Sequence, residues 1–109
     1  MQNKTTKLLL GLGMPPEVAG YLYAREAILL TINTPNSAYR WCETYDKVAD
    51  KFSTTGKRVE RSIRHALKKT RENGAILYLE TFQHMSVTRP PTVSHFIATV
   101  AEHLKMQDS

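Results

Sequence analysis

Seven cations (Lys57, Arg58, Arg61, Arg64, Lys68, Lys69 and Arg71) and one acid, Glu60, lie between positions 57 and 71, a local balance of +6. The whole 109-residue chain carries only +5, so everything outside this stretch sums to −1. At about 100° per residue, Lys57, Arg61, Arg64, Lys68 and Arg71 project to one side of a helix, with Arg58 and Lys69 flanking them. A DNA duplex presents about one negative charge per ~1.7 Å of axis, and a concentrated cationic stripe is complementary to that surface. Attraction to phosphate does not account for Glu60. A carboxylate in the groove can accept from a cytosine amino group, while arginine takes guanine in a bidentate pair. Any solvated helix also has a charged outer face, so the stripe carries meaning only if the rest of the chain aims it.

The elements that would aim it run from Tyr45 to Asn73. Tyr45, Val48, Ala49 and Phe52 fall at i, i+3, i+4 and i+7, one apolar stripe of a helix. Ser53-Thr54-Thr55-Gly56 then interrupts the pattern, with three hydroxyls able to cap a following helix and a glycine to ease the bend. Val59, Ile63, Ala66, Leu67 and Thr70 form the inner face of the second helix. Ala49 is small where two crossed helices would touch. This spacing predicts a helix-turn-helix over residues 45–73, whose second helix would enter the major groove.

The flanking chain predicts the support. Thr5 or Thr6 is placed to cap a first helix running through Leu12, with Gly11 and Gly13 ending it. Lys4 and Lys7 precede the apolar run 8–14, but Pro15-Pro16-Glu17 cuts it short, so a helix with inward leucines is expected and not a signal peptide. From Glu17 to about Asn33 the only charges are Glu17, Arg25 and Glu26. Such a helix has little to offer water and should be the buried centre, with Arg25 and Glu26 in a structural ion pair. Residues 33–37 read as a loop. Residues 38–43 read as a short helix with Tyr39, Trp41 and Cys42 available for packing, Trp41 as a core anchor. Asn73-Gly74 ends the cationic helix. Between Ala75 and Phe82, Ile76, Leu77, Leu79 and Phe82 suit a helix, or a strand that would pair with residues 85–89 as a wing. Thr92 or Ser94 caps a last helix whose core stripe is Phe96, Ile97, Val100, Ala101 and Leu104, and residues 106–109 should fray.

Other chemistry finds no support. His65, His84, His95 and His103 with Cys42 have no metal-ligand spacing, and no nucleophile elbow, phosphate loop or dinucleotide fingerprint occurs. Asp46 and Asp50 share a helix face, but Lys47 and Lys51 beside them mark it as solvated. No enzyme, metal or cofactor is expected. A single cysteine excludes an intrachain disulfide and suits a reducing cytoplasm. No apolar run approaches the ~20 residues of a membrane span. The 109 residues, 41% hydrophobic, suffice for one all-α, compact multi-helix domain over residues 1–109.

Three blocks carry a more specific signal. Phe52-Ser53-Thr54-Thr55-Gly56-Lys57-Arg58-Val59-Glu60-Arg61-Ser62-Ile63-Arg64-His65-Ala66-Leu67 resembles the recognition region of the DNA-binding effector domain of the stage zero sporulation protein A family. Gly20-Tyr21-Leu22-Tyr23-Ala24-Arg25-Glu26-Ala27-Ile28 is similar to that domain's long early helix, and Ser94-His95-Phe96-Ile97-Ala98-Thr99-Val100-Ala101 to its last. The blocks follow the family's order, and the resemblance covers about residues 8–104. The resemblance implies an all-helical, sequence-specific double-stranded DNA-binding regulator of transcription, and it favours helix over wing at residues 75–82. It implies base reading by Glu60, Arg61 and Arg64, with Arg61 leading. Ser53, Thr54, Thr55, Lys57, Arg58, His65 and Lys68 are then expected on the DNA backbone. Family lysines that approach the backbone near residues 86–91 leave only Arg89 here, in a loop one residue shorter, which makes that contact weaker. The implied partners are promoter DNA, tandem copies on it, and RNA polymerase or its sigma factor, in the cytoplasm at the nucleoid. The family's domain follows a phosphorylated receiver that this sequence lacks, so an excised effector domain and a stand-alone relative are both open. The alternative class is a protein-interaction or non-specific nucleic-acid-binding module that modulates a full-length regulator.

Overall fold

A computed structural model describes residues 2–34, 40–82 and 91–107. Six helices follow one another: α1 (Gln2–Gly11), α2 (Ala19–Asn33), α3 (Trp41–Lys51), α4 (Gly56–Asn73), α5 (Ile76–Thr81) and α6 (Val93–Gln107). No strand occurs among the described residues, so residues 76–81 are helical as the resemblance implied, and the segment that would pair as a wing lies outside them.

Helix α2 is the centre, packed against α1, α3, α4 and α6. Its sequence explains this, since Ala24, Ala27 and Ile28 are fully buried and Gly20, Tyr21 and Thr31 nearly so. The closest approach is at Gly20. A Cβ there would run into the Ser62 carbonyl, 2.7 Å from its carbon, and would come within 2.8 Å of the Ala66 Cβ. Without a side chain, the start of α2 lies directly on the α4 backbone. α6 closes the other side of α2 with the expected stripe of Phe96, Ile97, Val100, Ala101 and Leu104, and Val93 joins it. Phe96 stacks on Phe82 with ring centroids 5.6 Å apart, which ties the end of α5 to the core.

Several expectations are corrected. α1 begins at Gln2, so Thr5 and Thr6 lie inside it and not at its N-cap; Thr5 is fully buried. α2 starts at Ala19, two residues later than Glu17, with Val18 as N-cap. Glu26 pairs with Lys51 of α3 at 2.8 Å, and Arg25 has no carboxylate partner among the described residues. Arg25 instead donates to the Thr6 hydroxyl at 3.3 Å and lies over the Tyr21 ring, 5.7 Å from its centroid. The expected helices at 38–43 and from Tyr45 are one helix, α3, continuous from Trp41; residues 35–39 lie outside the described residues. Trp41 is half-buried against Tyr45, whereas Cys42 is exposed. In α5 the inward residue is Tyr78, followed by Phe82 just past the helix, while Ile76 and Leu79 are 74% and 55% exposed. The last helix does not fray at Met106 but continues through Gln107.

Tyr45 lies at the α3–α4 contact, 9% exposed. Burial, helped by the nearby Glu60 carboxylate and Cys42 and opposed by Arg64, pushes its phenol up to about 12 from the ordinary 10. A raised phenol is stabilising while protonated, so its contribution is complete below pH 10 and disappears as pH rises through 12. Tyrosinate absorbance should show a component near pH 12 that Tyr45→Phe removes, and the alkaline loss of stability between pH 10 and 12 should shrink in the variant. An unchanged titration curve in Tyr45→Phe would reject this assignment.

At Gly20 two effects oppose each other. Alanine is favoured over glycine inside a helix by about 1 kcal/mol, but overpacking against a neighbour typically costs about 1–3 kcal/mol, and here the obstacle is backbone. The two together mean that Gly20→Ala should lower stability by up to about 2 kcal/mol in urea unfolding. A variant as stable as the parent would mean that α2 and α4 are not pressed together at this point.

Candidate nucleic-acid interface

The connection between α3 and α4 is built from backbone bonds. Phe52 N–H donates to the Ala49 carbonyl at 3.1 Å and Thr54 N–H to the same oxygen at 3.0 Å. The bend occurs at Ser53, the only described non-glycine residue with positive φ, at 55°. Gly56 does not ease the bend as expected, because it is already the first residue of α4. A Cβ on Gly56 would strike the Asp46 carboxylate, so this glycine serves close approach of α3. Of the three hydroxyls, Thr55 is the N-cap, accepting from Arg58 N–H at 3.3 Å. That bond uses a lone pair of the hydroxyl oxygen and leaves its proton available to an outside acceptor. Together α3, the turn and α4 are consistent with a helix-turn-helix.

α4 is amphipathic as its sequence predicts. Val59, Ile63 and Ala66 are fully buried, Leu67 is 4% exposed, and Thr70 is buried with its hydroxyl donating to the Ala66 carbonyl at 2.7 Å. Lys57, Arg58, Arg61, Arg64, His65, Lys68 and Lys69 are exposed, and Arg71 is half-buried. Gly74 ends the helix in the left-handed region at φ 62°. Asn73 Nδ2 donates to the Gly13 carbonyl at 2.7 Å, which ties the end of α4 to the connection between α1 and α2.

The expected site residues divide by their neighbours. Glu60 and Arg64 hold each other one turn apart: Arg64 Nε donates to Glu60 Oε1 at 3.1 Å, and Arg64 Nη2 donates to Glu60 Oε2. Arg61 has no hydrogen bond or ion pair with a described residue and stands between two concavities. One, of about 410 Å³, runs along α4 past Arg64, Lys68 and Arg71 to Leu67 and Pro91. The other, of about 340 Å³, lies between α4 and the start of α2, where Arg61, Ser62 and His65 face Val18, Ala19 and Gly20. Ser53, Thr54 and Thr55 sit beside the N-terminal end of α4, with Ser53 and Thr55 exposed and Thr54 half-buried. The structure therefore brings Ser53, Thr54, Thr55, Lys57, Arg58, Glu60, Arg61, Arg64, His65 and Lys68 onto or next to one helix face. Arg89 lies outside the described residues. The edge formed by Val18–Gly20 and the wall formed by Pro91 were not foreseen. A glycine opening a helix was their only local trace, and Pro91 joins α4 from 20 positions beyond Arg71.

No described group of His, Cys, Asp and Glu could hold a metal ion, and no described helix is long and apolar enough to cross a membrane. What the exposed face of α4 presents is fixed positive charge with one carboxylate among it, an arrangement suited to binding a polyanion. Compared with known families, residues 5–104 match the one described as sporulation initiation factor Spo0A C terminal, nearly the whole chain and slightly more than the 8–104 over which the resemblance was read. That family is a DNA-binding, regulatory effector domain of response regulators and not a known enzyme family. The chain belongs to the Spo0A C-terminal family of sporulation initiation factor effector domains.

Proposed function

We propose that this chain is a single sequence-specific, double-stranded DNA-binding domain that regulates transcription by laying α4 in the major groove. The observation that carries the reading is the division of α4 into a fully packed inner face and an outer face whose cations have few protein partners. Arg61 leads base reading, because its guanidinium is unengaged by described residues and both of its forks remain for guanine. Glu60 and Arg64 stand beside it. Their mutual pair does not remove them, since a carboxylate has about four lone-pair sites and Arg64 uses two. A cytosine amino group can still be accepted by Glu60.

Ser53, Thr54, Thr55, Lys57, Arg58, His65 and Lys68 hold phosphates and set the register, with Arg89 a weaker contact of the same kind. Family membership supports promoter DNA as the target, tandem copies on it, contact with RNA polymerase or its sigma factor, and residence at the nucleoid.

Two variants separate the roles. Arg61→Ala should lose about 1–3 kcal/mol of preference at one base pair. Lys68→Ala should weaken all duplexes alike and flatten the salt dependence by about one ion. Duplexes selected from a random pool at physiological salt, then titrated beside a scrambled duplex, measure both. Equal losses by the two variants on specific and scrambled duplexes would overturn the assignment of roles. No duplex binding by the parent even at low salt would overturn the function and favour a protein-interaction module.

A further inference from the structure

Arg71 falls outside the site residues named so far, yet it forms the far end of the larger concavity. It sits ten residues beyond Arg61, roughly 15 Å along α4 at 1.5 Å per residue. The major groove is only about 12 Å wide. A helix that reads bases from its N-terminal half has therefore reached the bordering strand by Arg71. The trough combines a cationic rim with an apolar floor made by Leu67 and Pro91, both buried. Lys68 stands one turn back on the same rim. Arg71 is half-buried, where the other cations of the stripe are exposed.

A cationic rim over an apolar floor does not suit a base edge, which needs directed donors and acceptors, nor a bare phosphate, which needs no floor. It suits a phosphate with its sugar. We propose that this end of the trough seats one backbone phosphodiester of the strand bordering the groove, with Arg71 and Lys68 on the phosphate oxygens and the deoxyribose against Leu67 and Pro91. The inference rests on the DNA-binding reading and adds to it a clamp at the opposite end of α4 from the reading arginine.

The test combines a protein change with a DNA change. Arg71→Gln should reduce affinity roughly threefold for specific and scrambled duplexes alike, with the salt slope smaller by about 0.9, the effect of one phosphate contact. Arg71→Lys should keep the slope. Neutral methylphosphonate placed at each backbone position in turn should reveal one position whose loss in the parent is clearly smaller in Arg71→Gln, the remainder being due to Lys68. That position identifies the seated phosphate, and a merely structural role for Arg71 would not single out one position. Helical circular dichroism and the urea midpoint of Arg71→Gln establish that the variant is folded. An unchanged slope, or methylphosphonate losses identical in parent and variant, would overturn the clamp. If Arg61→Ala still loses its base preference in that case, DNA reading stands without it. A parent that binds no duplex overturns both. Tight binding of a mononucleotide in the trough, with the duplex slope unaffected by Arg71→Gln, would assign the trough to a small ligand and also overturn the clamp.

Discussion

The start of α2 rests on the backbone of α4 at Gly20, and the presentation of the cationic helix depends on that contact. An 18-residue helix with seven cations between Lys57 and Arg71 repels itself and gains little from its own sequence. In proteins most helical stability comes from packing of an amphipathic face and not from propensity. α4 gets that packing from one stripe, Val59, Ile63, Ala66, Leu67 and Thr70, against α2, α3 and α6. Each large residue of the stripe is worth about 2–5 kcal/mol against truncation. The stripe can be fully buried only because Gly20 and Ala66 let the two helices meet without side chains between them. Close contact on the inside turns the cationic side of α4 outward, where Lys57, Arg58, Arg61, Arg64, Lys68 and Lys69 are exposed.

The outer face is organised by weaker forces, and the magnitudes indicate what they do. The Glu60–Arg64 pair is exposed and one turn apart, a class of interaction worth about 0.3–0.5 kcal/mol. So small a term cannot hold the fold, and it yields readily to a better partner. Its consequence is geometric: the pair orients one guanidinium along the helix while Arg61, between them in sequence, points elsewhere. Tyr45 beneath them adds a neutral, buried phenol whose ionisation the Glu60 carboxylate opposes. The face thus has a fixed distribution of charge, with one tethered arginine, one untethered, and the remaining cations spread towards the two ends.

Much of this was legible in the sequence because periodicity reports which side of a helix is apolar. All five inner positions of α4 and all five of the α6 stripe are buried where spacing placed them, and Gly74 ends α4 in the left-handed conformation that only a residue such as glycine adopts easily. Periodicity is silent about partners. It indicated that Glu26 needed a counter-charge, but the partner is Lys51, 25 positions away. It placed a glycine at the start of α2 without revealing that Ser62 lies against it. The helix at α5 was read correctly but its inner face was not: in a run where Ile76, Leu77, Tyr78 and Leu79 are all apolar, no alternation marks that face, and contact with Phe82, itself stacked on Phe96, selects Tyr78. Thr5 misled because a hydroxyl near a chain start resembles a cap, while its actual place is inside α1.

The two ends of α4 show why this helix can do more than attract phosphate. At its start Thr55 caps the first turn and the Asp46 carboxylate of α3 closes on Gly56. At its end Gly74 reverses the chain and Asn73 is bonded to Gly13. Both ends are therefore fixed to other parts of the fold, and neither the start nor the register of the helix is free to drift. Attraction between a cationic stripe and a polyanion tolerates such drift, because charge acts at a distance and in all directions. Hydrogen bonds to base edges do not, since a slip of one residue would turn the face by about 100° and carry Arg61 away from it. Anchoring at both ends is the structural condition for recognition by shape and hydrogen bond, as distinct from recognition by charge alone.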